Sequence, residues 1–479
     1  MPFPKGEGEM RCLSHRERGK MDLPIPLRKG EGEQGVGLSI PARLDRLPLG
    51  RFHWTLMATT GVAWLFSSFN VAIVSFVLPV IIALWSLDPT RAGFIGSAQM
   101  LGMLVGSVGI GSLADRFGRK MALEITLLTF GLATALGALV NDYAAFTALR
   151  FVAGIGLGGM FPTVTTLISE LSPSRRRGVL MVIMDGFWSF GLLFAATVSY
   201  TMIPTVGWQA AYAVGALPVL YGVFFWLVIP ESPRFLVERG RGAEAEEMLL
   251  RIEAGYSREL PPVVENSVSH PRGAVRARFG DLWTGEFRRR TISIWTINFC
   301  LVFTYYGIYI WLPALLVAAG YPVEQVLLLM VYLSLAQFPG KALAALLVES
   351  VGRKMIIVTF GLLYGVSAVF LGQAGDANAI LFWGCGLSFV NAVIWGPVMT
   401  YTAESYPTRA RSTGAGAASA FSRIGGILGP VFTGFLLRLL HGDQSLIFVL
   451  FAATMVISAL TVAFLGEETK GRSLEDIAT

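Results

Sequence analysis

Four charged side chains stand clearly inside long apolar runs of the chain, away from their ends: Arg150, Asp185, Lys341 and Arg423. A charge in hydrocarbon is expensive, so each is a functional candidate on physical grounds. Asp185 and Lys341 are suited to ion-pair and proton chemistry, because a carboxylate can alternate between a charged partner and a proton. Asp185 lies eight residues beyond Arg177, and Lys341 lies eight before Glu349. At 1.5 Å per residue each is ~12 Å in from the end of its run. Arg423 lies twelve residues past Arg411, which places it ~18 Å in, near the bilayer midplane. A guanidinium there stays protonated, and its planar fork suits a carboxylate. Ser422 and the pair Gly425-Gly426 leave room beside it. The cationic excess, three groups against one, points to an anionic ligand. Arg150 fits a structural or coupling role as well as it fits a substrate role. Most aromatic residues of the runs are packing or lipid-facing positions; Trp188, one turn from Asp185, and Tyr305 and Tyr306 are singled out as cavity lining, with Gln337 beside them.

The elements that must position these groups are membrane spans. Of 479 residues 54% are hydrophobic and 15% charged, and the mean hydropathy is +0.60. Soluble domains carry nearer a quarter charged. Crossing a ~30 Å hydrocarbon core takes about 20 helical residues. Twelve runs qualify: 54–84, 91–114, 121–140, 143–169, 178–203, 208–229, 291–318, 324–348, 355–373, 378–403, 412–437 and 445–465. None shows the alternation of a barrel strand, so all are read as helices. GxxxG spacing at Gly102/Gly106 and Gly425/Gly429 reads as close helix packing, and Pro430 as a kink next to Arg423.

The polar remainder divides into an N-terminal tail (1–53), a linker (230–290) and a C-terminal tail (467–479), around two halves, 54–229 and 291–466. The N-terminal tail is Gly/Pro-rich, repeats "KGEGE" at Lys5 and Lys29, has no signal-peptide core, and is expected to be disordered; Met21 offers an alternative start. With both termini and the linker cytoplasmic, the cytoplasmic segments hold 33 of the 38 Lys and Arg, eleven of them linker arginines. Only Arg91 and Arg438 fall outside. That asymmetry sets the expected orientation. It also assigns the net charge of +6 to anionic lipid headgroups rather than nucleic acid. Cys12, Cys300 and Cys385 form no metal or disulfide pattern. His15, His53, His270 and His441 fall in tails, loops or span edges.

The loop chemistry repeats at half-chain distance. "LADRFGRK" (Leu113 to Lys120) and "LVESVGRK" (Leu347 to Lys354) both place an acid three residues before Gly-Arg-Lys, at an offset of 234. "ELSPSRRR" (Glu170 to Arg177) and "ESYPTRAR" (Glu404 to Arg411) share Glu-x-x-Pro-x-Arg-x-Arg at the same offset, as do "VLP" ending at Pro79 and "WLP" ending at Pro313. The chain is read as two parallel six-helix halves.

On these motifs the sequence resembles a major facilitator superfamily transporter over residues 54–477. "GSLADRFGRK" (Gly111 to Lys120) is similar to the family's loop 2–3 signature. "PESPRFL" (Pro230 to Leu236) and "ETKGRSLEDI" (Glu468 to Ile477) resemble motifs shared by sugar porters and the organic-ion group. The Gln pair typical of sugar porters in span seven and the Gln-Leu of span five are missing. "DGFWSFG" (Asp185 to Gly191) and "SRIGGILGP" (Ser422 to Pro430) resemble the bacterial organic-ion and aromatic-acid branch instead. That branch usually carries acids in span one, where this chain has Ser67, Ser68 and Asn70; symport and uniport therefore both stay open.

The resemblance implies an all-α fold of twelve transmembrane helices in two parallel-repeat halves, with a substrate site near the midplane between them. It assigns Gly111, Asp115, Arg116, Gly118, Arg119, Lys120, Glu170, Arg175 and Arg177, and their counterparts Glu349, Gly352, Arg353, Lys354, Glu404, Arg409 and Arg411, to bracing and gating the cytoplasmic face. It places spans five and eight side by side. Asp185 and Lys341 are then expected to pair when the cytoplasmic side is shut and to separate when Asp185 takes a proton; the alternative is that each is satisfied within its own half. Arg423 is expected to bind the substrate's negative charge, with pairing to Asp185 or to a carbonyl as the alternative. The expected function is alternating-access transport of a small organic ion, a carboxylate anion by preference, in the inner or plasma membrane. A sugar or other neutral solute is the second reading, and a non-transporting receptor on the same fold the third. No enzyme chemistry, cofactor or metal is expected, and a monomer is. No nucleotide-binding loop is present to drive an ATP pump.

Overall fold

The computed structural model describes residues 40–173, 175–256, 279–440 and 444–470, apart from the side chains of 41, 286, 408, 409 and 412. Twelve helices long and apolar enough to span a membrane lie within them. They are Arg51–Trp85, Pro89–Phe117, Arg119–Gly137, Tyr143–Leu171, Arg177–Val206, Trp208–Val228, Phe287–Ala318, Val323–Ser350, Arg353–Gly372, Ala377–Glu404, Thr413–Leu439 and Ser445–Leu465, numbered here as spans one to twelve. Three of them start at a capping aspartate. Asp88, Asp142 and Asp376 cap spans two, four and ten, accepting from the backbone of Thr90, Ala145 and Asn378 at 3.0, 2.8 and 2.9 Å. This satisfies amides that a helix start leaves without partners. Span six contains a 3-10 turn at Val214–Ala216, and span seven breaks at Ile310–Trp311 before a second segment, Leu312–Ala318. Pro313 stands in the first turn of that segment, where its missing N–H costs nothing.

Within the first half, span one packs on five, two on four, and three on four and six; within the second, seven packs on eleven, eight on ten, and nine on ten and twelve. The correspondence reaches single atoms. A β-carbon on Gly106 would stand 1.9 Å from the Ile155 carbonyl oxygen, and one on Gly340 would stand 2.5 Å from that of Phe389. Likewise Gly191 abuts the Leu65 carbonyl and Gly425 that of Phe299. Every one of these partners is related by the same 234-residue shift. Small residues let these helices approach to backbone contact, which is how helices without a hydrophobic drive between them gain packing.

The halves meet along two seams, spans two with eleven and five with eight, and span one also touches the second segment of span seven. The first seam is not parallel-sided. Gly93 and Gly111 lie 18 residues apart, about five turns, and so share one face of span two. Beside Gly93 the Pro430 carbonyl leaves only 2.4 Å for a β-carbon, whereas beside Gly111 there is open space. Gly434 and Gly416 repeat this on span eleven: the first meets the Pro89 carbonyl at 2.2 Å, the second meets nothing. Spans two and eleven are thus shut at one end and parted at the end carrying Gly118 and Gly352, termed the motif face here.

Residues 40–53, expected to belong to the polar tail, instead form the helix Ile40–Asp45 and the approach to span one. The linker contributes helices Pro233–Glu238 and Gly242–Ala254. Leu44 and Leu47 pack on Leu249 and Ile252. Arg43 and Arg46 hold Glu253 at 2.6 and 2.7 Å. Burial pushes the Glu253 carboxyl up, but the hydrogen bonds from the two arginines outweigh it and hold the group below the usual carboxylate range. The repeated "KGEGE" stretches, Cys12, and the tail beyond Lys470 lie outside the described residues.

Candidate functional site

At the motif face each half closes a clasp. Gly118 and Gly352 both sit at φ +103, a conformation that glycine adopts without steric cost. The turn aims the amides of the next helix at a carboxylate. Glu231 accepts from the backbone of Arg119 and Lys120 at 2.9 and 3.3 Å. Glu468 accepts from Arg353 and Lys354 at 3.0 and 3.1 Å. An anion at a helix N-terminus is favoured by both the free amides and the helix dipole. The arginine side chains turn back across the half. Arg119 meets Glu170 at 3.1 Å and Asp115 at 3.7 Å. Arg353 meets Glu349 at 3.0 Å and Glu404 at 3.2 Å. Arg239 then covers the last carbonyls of span two, at Asp115 and Arg116, and Lys470 covers that of Ser350 at the end of span eight.

Of the other motif residues, Arg116 and Arg175 are exposed, Arg116 lies over the Phe117 ring, and Arg177 and Arg411 are half-buried. The Arg409 side chain lies outside the described residues. Glu231 and Glu468 stand out in the sequence only as parts of longer motifs, because nothing in their spacing says that they cap the helix after the Gly-Arg-Lys turn in their own half.

Deeper in, the seam of spans five and eight carries two cross-links one turn apart. Lys341 Nζ donates to the Asp185 carboxylate at 2.5 Å and to its backbone carbonyl at 2.8 Å. Ser189 donates to Gln337 Oε1 at 3.2 Å. The expected Asp185–Lys341 pairing is therefore present, but spans two and eleven are parted at that same end, so pairing does not require the motif face to be shut along both seams.

On the other seam, Arg423 donates to the Met103 carbonyl of span two at 3.1 Å and lies beside Tyr306. Its partner is a carbonyl, not Asp185, and no carboxylate is among its contacts within the described residues. The two seams are related by the repeat: Ser189 and Arg423 are 234 residues apart, and so are Met103 and Gln337.

Beside the seam of spans five and eight lies a cavity of about 40 Å³, lined from spans one, five, seven, eight and ten, far below the roughly 300–1,000 Å³ of ligand pockets. The halves have closed down on it in this conformation. Its walls pair by the same shift: Val71, Ala72, Ser75 and Phe76 of span one face Tyr305, Tyr306, Tyr309 and Ile310 of span seven. Gln337, Ser334 and Ser388 complete the polar lining. Trp188 reaches the Tyr305 hydroxyl from across the interface, and Tyr309 bonds Ser388 at 2.8 Å. A larger hollow of about 890 Å³ lies between the linker helix and the motif-face ends of the first half; it is an open surface groove with no contribution from the second half, so the central cavity is the stronger candidate.

Arg150 is placed elsewhere. It is fully buried in the first half, 2.7 Å from Thr134 Oγ1 and over the ring of Tyr212. Thr134 donates in turn to Asn70 of span one. The Nε and Nη1 of Arg150 have no partner among the described residues. It lines neither hollow. Asn70, noted in the sequence only for not being an acid, proves to be the side chain that ends this chain of contacts.

Residues 57–479 match the family described as "Sugar (and other) transporter". The chain is 40% identical to the niacin transporter of Acinetobacter baylyi, over 92% of this chain and 100% of that one. It is 36% identical to a putative niacin/nicotinamide transporter of Bacillus subtilis, over 88% and 97%. Among solved structures, a partially occluded inward open conformation of the E. coli xylose transporter superposes with a TM-score of 0.70 at 19% identity, over 88% of this chain and 100% of the other.

Proposed function

Because the chain belongs to the sugar (and other) transporter family of the major facilitator superfamily, and is a multi-pass membrane transporter of a small solute, we propose that its solute is a nicotinate-like aromatic carboxylate, carried by alternating access. The observation that carries the reading is Arg423: a permanent cation at midplane depth, beside the cavity tyrosine Tyr306, held by a carbonyl and, among the described residues, by no carboxylate. A carboxylate ligand can replace that carbonyl with a bidentate, charge-assisted contact. The relatives named for niacin support the same class. The lining supports a flat ring, since tyrosines face small side chains across it.

The motif face is cytoplasmic in this reading, as are both termini, because that placement puts the basic residues inside. The present conformation is then open inward along spans two and eleven. Asp185 is the group proposed to exchange a proton, with Lys341 as the partner it leaves. The test is nicotinate uptake into proteoliposomes. Arg423→Lys keeps the charge and loses the fork, and should raise the half-saturating concentration more than tenfold, since one such contact is worth roughly 1.5–3 kcal/mol. Unaltered affinity in Arg423→Ala, or uptake of nicotinamide and sugars with no nicotinate uptake, would overturn the assignment.

A further inference from the structure

The Arg423–Met103 contact has a counterpart that the proposed carboxylate site leaves unused. Ser189 and Gln337 occupy the equivalent seats on the other seam. By helix rise the two seats lie at one depth: Ser189 is twelve residues past Arg177, Gln337 twelve before Glu349 and Arg423 twelve past Arg411, each ~18 Å from the motif face. Gln337 lines the cavity; Arg423 does not, but it lies beside Tyr306, which does.

The chemistry at this second pole is set by what is already bonded. Gln337 is 4% exposed and Ser189 0%. The Ser189 hydroxyl donates to Gln337 Oε1. The carbonyl one turn back, Asp185, is occupied by Lys341 Nζ, which disfavours Ser189 turning into its own helix. With Oε1 engaged, the amide is oriented, and its NH2 group is left as the donor. Among the described residues that nitrogen has no partner, yet it is not sealed off, because Gln337 lines the cavity.

We infer that Gln337 is a specificity residue: its amide N–H donates to the ring nitrogen of a pyridine carboxylate whose carboxylate is held by Arg423, and Ser189 is the positioning residue that fixes the amide. The inference rests on the aromatic-carboxylate reading above and adds to it. Arg423 alone would accept benzoate as readily as nicotinate. Benzoate, which has C–H where nicotinate has a nitrogen acceptor, would leave the Gln337 donor buried without a partner, and an unmet buried donor is penalised more than a made bond is rewarded.

The test uses ring position on the wild-type protein before any mutation. Nicotinate, its isomer with nitrogen opposite the carboxylate, and benzoate compete for labelled nicotinate uptake in proteoliposomes. Nicotinate should compete at least about tenfold better than benzoate, with the isomer near benzoate. In Gln337→Leu the nicotinate KM should rise about tenfold with little change in kcat, benzoate competition should hold or strengthen, and the preference should vanish. Gln337→Met serves if the leucine variant fails to fold. Ser189→Ala should lose part of the preference without altering benzoate competition. Equal competition by benzoate and nicotinate on the wild type, or an undiminished preference in Gln337→Leu or Gln337→Met, overturns the inference and leaves the carboxylate reading standing. Wild-type protein that neither binds nor carries nicotinate overturns both.

Discussion

Along the seam of spans five and eight the halves are tied by an ion pair, Asp185–Lys341, and one turn deeper by Ser189–Gln337. Along the seam of spans two and eleven, the seats equivalent to the ion pair hold Ser107 and Ser419, the deeper seats hold Met103 and Arg423, and the helices have parted at the motif face. One architecture is thus used twice with the charges distributed differently. The seam with a cation and an anion facing each other stays bridged. In the seam with a single cation, that cation reaches a carbonyl and, among the described residues, no carboxylate, which leaves it available to an anion from outside. Packing glycines and surface clasps obey the repeat almost atom for atom, so the departures from it mark where the two copies have taken separate tasks.

The largest expected effect comes from removing the charge that only one seam has. Asp185→Asn should abolish pH-driven accumulation in proteoliposomes while substrate exchange across an equal pH continues. Ser107→Ala and Ser419→Ala, in the equivalent seats, should leave both measurements at wild-type values. A proton dependence that survives in Asp185→Asn would detach coupling from this seam altogether.

A smaller effect should follow from wedging the shut end of the other seam. Gly434 meets the Pro89 carbonyl where a β-carbon would need space, while Gly416 faces open space five turns away. Gly434→Leu should therefore disfavour the present conformation by about 1–3 kcal/mol, the usual cost of overpacking. Cysteine labelling near the shut end should rise and uptake should fall by about tenfold, whereas Gly416→Ala should match wild type. Equal behaviour of the two variants would mean that spans two and eleven do not hinge as the contacts describe.

Much of this was legible in the sequence, and the reasons for the rest are physical. Twelve apolar runs and the 234-residue echo of Gly-Arg-Lys and Glu-x-x-Pro-x-Arg-x-Arg disclose the repeat and the halves, because span length and loop chemistry are local properties. Asp185, Lys341 and Arg423 stand out because charge within an apolar run is conspicuous. Their neighbours do not. Ser189, Ser75 and Tyr309 have ordinary span chemistry, and only the fold brings the first to Gln337 and the other two to the cavity wall. The repeat held one unused signal: carrying Arg423 back by 234 residues lands on Ser189, and carrying Tyr305 and Tyr306 back lands on Val71 and Ala72, the opposite wall of the cavity. Arg150 misleads in the other direction. It is as conspicuous as Arg423, yet it is enclosed by Thr134, Tyr212 and Phe146 and lines neither of the two hollows described above.

The smallest effect tests how far the two clasps are equal. Glu404 accepts from Arg353 and, at 2.6 Å, from the Thr469 hydroxyl. Its counterpart Glu170 meets Arg119 through Oε1 alone, and its Oε2 is buried without a partner among the described residues. Of these two carboxylates, the one in the second half is therefore the better satisfied by one hydrogen bond. Thr469→Val is close in shape and removes that bond, at a cost of about 1 kcal/mol. Thermal unfolding of the purified protein should show a fall of a few degrees at most, with uptake affinity unchanged. Glu231→Gln and Glu468→Gln, which weaken the helix caps of the two clasps alike, should lower stability by similar amounts to each other. A much larger loss for Glu468→Gln than for Glu231→Gln would show that the extra bond at Thr469 depends on the cap beside it.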